Sequence, residues 1–171
     1  MTSIVKATVN DSALLSEIAK LTFIESHGHS ASPEDVNTYV AEKYSPGILK
    51  EELLDPGNIY HIIYYNDRPA GYSKIVLNSP HANATIQRIT KLERIYLLKE
   101  FYDLKLGREL LEFNVALAKE NEQLGMWLFV WKENPKAAGF YKKNGFVIIG
   151  SHDFKISETH SNPNHQMFLK F

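Results

Sequence analysis

The 171-residue chain contains no cysteine. That excludes disulfides, a thiolate metal site and a cysteine nucleophile, and with it any acyl-cysteine intermediate. Long apolar runs are missing too. No stretch approaches the ~20 apolar residues that a membrane-crossing helix needs, and Met1 to Lys20 holds no uninterrupted apolar segment of the kind that opens a secretory signal. The expectation is a cytoplasmic protein with no membrane partner. Charge of one sign is also lacking, because 19 basic residues meet 20 acidic ones, so no broad positive field exists to capture nucleic acid. The Gly-x-Gly-x-x-Gly motif is absent, which argues against a dinucleotide-binding α/β domain. His27 and His29, like His160 and His165, lack the i,i+4 spacing of helical metal ligands, so no metal is expected.

What is present suits one domain spanning 1–171, with 44% hydrophobic and 12% aromatic residues to fill a core. Ser3 to Val9 reads as a strand, and Asn10 or Asp11 can cap a helix whose Leu14, Ile18 and Leu21 recur at helical spacing. Ser32-Pro33-Glu34-Asp35 starts a second helix, reaching about Tyr44: a capping serine, a first-turn proline and acids at the positive helix end. Ile59–Tyr65 and Ala70–Leu77 flank the turn residues Asn66 to Pro69 and predict a hairpin, with Leu92–Leu97 as the next strand. Leu106, Leu110, Phe113 and Leu117 mark a helix before the apolar strand Met126–Trp131, which makes a βαβ unit. Trp127, Phe129 and Trp131 alternate along that strand and read as core rather than as a stacking platform for bases. Asn134-Pro135 opens a short helix that Asn144-Gly145 closes. Phe146 to Gly150 begins a strand, Ser157–Asn164 reads as a loop, and Gln166–Phe171 is a final strand.

Charge is partitioned along the chain. From Glu25 to Asp55, seven acids face two lysines, a balance of −5; Arg88–Arg108 carries six bases against three acids, and Lys132–Lys143 four lysines against Glu133, each +3. The plain alternative is that these are solvated faces of surface helices. The strand-to-helix loop Lys99–Gly107 is where unpaired amides and a helix dipole favour phosphate. Gly107 allows close approach, and Lys105 and Arg108 add charge that a pyrophosphate would neutralise.

The order Leu92-Glu93-Arg94-Ile95-Tyr96-Leu97, the loop to Gly107, and the run Asn134-Pro135-Lys136-Ala137-Ala138-Gly139-Phe140-Tyr141-Lys142-Lys143-Asn144-Gly145-Phe146 resemble the GNAT acyltransferase superfamily over nearly the whole chain. The stretch Leu92–Lys99 looks most like bacterial spermine/spermidine-type acetyltransferases. The resemblance implies an α/β (mixed α+β) fold: a central sheet of about seven strands with four helices, splayed between Leu92–Leu97 and Met126–Trp131 to admit coenzyme A. It also implies an acetyl-CoA-dependent N-acetyltransferase that contacts its cofactor through Ile95, Tyr96, Leu97, Tyr102, Asp103, Leu104, Lys105, Leu106, Gly107, Arg108, Asn134 and Lys143. The family's loop pattern is Gln or Arg, two residues, Gly, one residue, then Gly or Ala. Here Tyr102 replaces its polar first position and Lys105 its first glycine.

Transfer needs an uncharged amine, yet an alkylamine of pKa ~10.4 is only about one part in a thousand neutral near pH 7.4. Glu93 is the candidate base, through water, the alternative being a surface carboxylate paired with Arg94 or Lys91. Tyr141, at the family's tyrosine position, is the candidate acid for the departing thiolate, the alternative being packing beside Phe140. Glu25, His27 and His29 are expected to border the acceptor, a small-molecule amine, which the charge partition makes a small cationic one such as a polyamine. Two other outcomes stay open: a protein N-terminal or lysine acetyltransferase, and a GNAT-like acyl-CoA-binding module without turnover. A homodimer is likewise open.

Overall fold

The computed structural model describes all 171 residues. In chain order the elements are β1 (Thr2–Lys6), α1 (Ser12–His27), α2 (Pro33–Lys43), α3 (Pro46–Leu54), β2 (Asn58–Tyr65), β3 (Arg68–Val76), β4 (Thr90–Leu97), α4 (Leu106–Glu120), β5 (Gly125–Trp131), α5 (Pro135–Lys143), β6 (Val147–Lys155) and β7 (Ser161–Lys170). The sheet has seven strands in the order β1-β2-β3-β4-β5-β7-β6. The chain divides into two compact units, Met1–Ile75 with Arg94–Asn114 and Val76–Glu93 with Val115–Phe171. No helix is long and apolar enough to cross a membrane.

In the first unit β1 lies antiparallel to β2, with Ile4 opposite Ile63. The hairpin turn is tighter than Asn66–Pro69: only Asn66 and Asp67 leave the strands, with φ of 47° and 61°. That left-handed pair matches the twist of the flanking strands. Helix α1 buries Leu15, Ile18, Ala19 and Phe23. The expected stripe through Leu21 is corrected, since Leu21 is exposed. Ser32 caps α2 by accepting the Asp35 N–H at 3.1 Å.

The expectation of four helices is also corrected, because α3 makes five. Its start repeats the chemistry of α2: Ser45 accepts from the Ile48 N–H at 3.3 Å and Pro46 takes the first turn. Ile63, Ala70, Phe101, Leu106 and Leu110 form a buried cluster in this unit. Burial of each of the large side chains, Ile63, Phe101, Leu106 and Leu110, contributes roughly 1.5–3 kcal/mol.

In the second unit β4 and β5 are parallel, with Thr90 opposite Met126 and Lys91 opposite Trp127. Strand β7 lies antiparallel to both β5 and β6. The expected loop Ser157–Asn164 is half wrong, because β7 starts at Ser161 and buries the polar Asn162 and Asn164. Pro163 stands one step past the β5 register, which ends at Trp131↔Asn164, where its carbonyl still accepts the Lys132 N–H at 2.9 Å and only the N–H that proline lacks is lost from the ladder. Asn134 caps α5 through the Ala137 N–H at 3.1 Å. Gly145 ends that helix at φ 91°.

Candidate active site

In the first unit the loop after β4 turns through Lys99–Phe101 and enters α4 with Asp103 at φ 67° and Lys105 at φ 62°. Lys105, standing where the family has its first glycine, thus keeps the left-handed backbone that glycine adopts freely. A Cβ built on Gly107 would meet only Leu97 Cδ1, at 3.5 Å, so the protein's own packing leaves this backbone approachable. In the first turn of α4 the Arg108 and Glu109 N–H groups donate to the Lys105 carbonyl at 3.1 and 3.2 Å, which leaves those of Leu106 and Gly107, with the helix dipole, to suit a pyrophosphate. Arg108 is exposed and ion-paired to Glu112 at 2.7 Å. Ile95 and Leu97 pack against the buried cluster of Phe101, Leu106 and Leu110, which fixes the strand beneath the loop. Leu104 is exposed, and Tyr102 is half-buried, its phenol pushed up by burial and by nearby Glu25.

The acceptor candidates at the end of α1 meet this loop. Glu25 accepts the Lys99 N–H at 2.7 Å. The His27 ring stacks on Phe23 at 4.9 Å and stands edge-on to Tyr96 at 6.0 Å. Burial, then the charge of His29, lowers the His27 pKa to about 4, so it is neutral at physiological pH. His29 itself is exposed.

Beside them lies a polar network that sequence reading missed. Glu52 of α3 accepts from Lys74 Nζ at 2.9 Å, from Arg94 Nη1 at 3.1 Å and from the Tyr60 hydroxyl. Arg94 also lies 5.0 Å from the Tyr44 ring centroid. Burial pushes the Glu52 carboxyl up, but Arg94, the Tyr60 hydrogen bond and Lys74 outweigh it and hold the group below its usual range. The Tyr72 hydroxyl is buried without a hydrogen-bond partner, and burial raises its pKa well above the ordinary value. One sequence signal pointed here: Glu52 follows buried Leu49 at i+3, which puts it on the inward face of α3.

The second unit holds Glu93, Asn134, Tyr141 and Lys143. Glu93 is exposed near the start of β4, Lys143 is exposed at the end of α5, and Asn134 is committed to its cap. Tyr141 is buried, its ring 5.3 Å from Phe140 and 5.6 Å from Phe146. On β5, Trp127 is buried and Phe129 half-buried, and both face the ammonium of Lys91.

The sequence matches the model of the acetyltransferase (GNAT) family over residues 16–146. An uncharacterized N-acetyltransferase of Lactobacillus delbrueckii subsp. lactis is 28% identical over 155 residues, covering 91% of this chain and 90% of its own. A spermidine N(1)-acetyltransferase of Thermoplasma acidophilum is 26% identical over 143 residues, 84% and 86% of the two chains. Among solved structures, the PaiA N-acetyltransferase of Thermoplasma acidophilum in complex with coenzyme A superposes with a TM-score of 0.80 at 23% identity, covering 100% of this chain and 99% of that one. The ribosomal-protein-S18-alanine N-acetyltransferase of Escherichia coli shares the fold with a TM-score of 0.72 at 15% identity, covering 99% and 94%. The loop before α4, the seven-stranded mixed sheet and these likenesses agree: the chain belongs to the GNAT acetyltransferase family and is an acetyl-CoA-dependent N-acetyltransferase.

Proposed function

We propose that the chain transfers the acetyl group of acetyl-CoA directly to a small cationic amine, of which a polyamine is the type. The observation that carries cofactor use is the backbone at Lys105, which holds φ 62° where the family has glycine and so keeps the approach to the α4 N-terminus open. Acetyl-CoA, when bound, supplies a thioester carbonyl for attack by the amine. For the cofactor's pyrophosphate, the backbone N–H groups of Leu106 and Gly107 are the donors, with the Lys105 and Arg108 side chains adding charge. Glu93, through water, takes the proton whose loss turns the reacting ammonium into a free amine, and the second nitrogen proton passes to water as the C–N bond forms. Tyr141 gives its phenolic proton to the sulfur as the C–S bond breaks.

The cationic acceptor is supported by the likeness to a spermidine N(1)-acetyltransferase and by the acidic segment Glu25–Asp55. The structure narrows that second argument. Glu52 is neutralised by Lys74 and Arg94, and Asp55 Oδ1 accepts the Gly57 N–H, while Glu25, Glu34, Glu42 and Glu51 remain at the surface. At physiological salt only carboxylates within about 8 Å of a bound amine contribute much.

The test is thiol release with spermidine, butylamine and glutamate at low and high salt. Spermidine is expected to be the best acceptor, with kcat/KM falling as salt rises. Equal or better turnover of glutamate would reject the cationic acceptor, and no thiol release with any amine would reject the transferase reading in favour of an acyl-CoA-binding module.

A further inference from the structure

The second unit holds an alkylammonium on an aromatic surface. Lys91 Nζ lies 5.2 Å from the Trp127 ring centroid and 5.9 Å from that of Phe129, both within the range of cation–π attraction. Phe129 is stacked on His152 at 4.5 Å with an interplanar angle of 19°. His81 adds a third side, 4.9 Å from Trp127 and 6.2 Å from Phe129.

This surface is built rather than accidental. The Trp127 indole N–H donates to the Ser79 carbonyl at 2.7 Å, the Asn83 N–H donates to His81 Nδ1 at 3.2 Å, and Asn83 Nδ2 donates to Gln166 Oε1 at 2.7 Å. The segment that presents His81 is thereby fastened to β7. Gly150 makes room for it, since a Cβ there would come 2.6 Å from Asn83 Nδ2. The aromatic rings are consequently positioned before any ligand arrives, and little ordering remains to be done on binding.

We propose that this surface, made by Trp127, Phe129, His81 and His152, receives the distal ammonium of the acceptor, and that Lys91 is its internal occupant until the acceptor displaces it. The lysine side chain ends in a primary ammonium on a four-carbon stem, the same chemistry as the end of a linear diamine or polyamine. Exchanging one ammonium for another conserves the cation–π interaction. Lys91 is half-buried and flexible, and it can swing to water. Lys91 and Glu93 are two positions apart on β4, so their side chains leave the strand on one face, roughly 7 Å apart along it. A short alkylene linker spans that distance. An acceptor with one amine at Glu93 and a second on the aromatic surface is a substrate class: α,ω-diamines and linear polyamines, in preference to monoamines of equal length.

The inference rests on the transferase reading, and its test separates the two. The readout is the ratio of kcat/KM for 1,4-diaminobutane to that for butylamine. A cation–π contact corresponds to about 2- to 30-fold in this ratio. Phe129→Leu is expected to lower the ratio by that factor, and His152→Ala, at an exposed position that leaves the core intact, to lower it less. Lys91→Met is expected to raise it at least twofold. A ratio that stays at the wild-type value in Phe129→Leu and Lys91→Met overturns the site. A second measurement needs no turnover. With Trp131→Phe, Trp127 is the only tryptophan left of the two, and spermidine is titrated while its fluorescence is followed. A saturable change that weakens in the Phe129→Leu background supports the site even if no amine is acetylated; no saturable change overturns it.

Discussion

The carboxylate of Glu25, at the end of α1, accepts the backbone N–H of Lys99 at 2.7 Å, across 74 residues of sequence. This charge-assisted bond ties the helix expected to border the acceptor to the first residue of the cofactor loop. Glu25→Ala is expected to loosen the loop and weaken acetyl-CoA binding about fivefold, measured by calorimetric titration. Glu25→Gln, which keeps an accepting oxygen, should recover most of the loss. Equal affinity in Glu25→Ala would show that the loop holds its shape without the tether.

Lys105 pays for its left-handed backbone at φ 62°, a conformation that costs a residue with a Cβ about 1–2 kcal/mol. Lys105→Gly is therefore expected to raise the urea midpoint by an amount equivalent to about 0.5–1 kcal/mol, after allowance for glycine's greater freedom in the unfolded chain. The same variant should bind acetyl-CoA more weakly at low salt and equally at high salt, because only a screened charge has been removed.

Glu52 neutralises two cations whose side chains are only 6% and 13% exposed, those of Lys74 and Arg94. Removing the carboxylate leaves both with one partner fewer in a low-dielectric setting, a change that costs about 3–5 kcal/mol in buried pairs. Glu52→Ala should fall at the lower end of that range, since its own side chain is 22% exposed. Urea denaturation reads the loss directly, and a change under 1 kcal/mol would place the network in effective contact with solvent.

The pH dependence of stability follows from His27 and His61, both lowered to about 4, first by burial and then by the charges of His29 and Lys6 respectively. In the unfolded chain each titrates near 6.5. Their contribution is thus fully present above pH 6.5 and is lost as pH falls from there to 4, where the unfolded state binds protons that the folded state refuses. The thermal midpoint should drop across that window. His61→Phe should flatten the drop, because it also removes the buried His61 Nδ1, which has no hydrogen-bond partner, and keeps the edge contact to Phe113 at 4.7 Å.

Tyr141→Phe tests the proposed proton donor. Turnover is expected to fall about 10²-fold with acetyl-CoA affinity within twofold, since only the transition state loses its acid. The contacts to Phe140 and Phe146 at 5.3 and 5.6 Å are those of the ring, so the variant preserves packing. Unchanged turnover would assign Tyr141 to packing alone.

Local chemistry made much of this protein legible in its sequence. Ser32 and Asn134 cap helices by reaching backbone N–H groups three residues on, Asn66-Asp67 turns a hairpin, and Gly145 stops a helix. Each depends on neighbours within one turn of chain, so residue order alone states it. The motif around Tyr141 and the loop to Gly107 were visible for the same reason. Ser45-Pro46 carries the same signal as Ser32-Pro33, so α3 was legible in principle, although it was absorbed into an expected count of four helices. The long-range pairings were not. Glu52 meets Lys74 and Arg94 from 22 and 42 residues away, and Lys91 meets Trp127 because β4 and β5 lie parallel in one register. A strand shifted by one position would present every side chain to its other face. Which charges neutralise each other, and which ammonium an aromatic surface holds, was therefore decided by strand order and register in the tertiary fold.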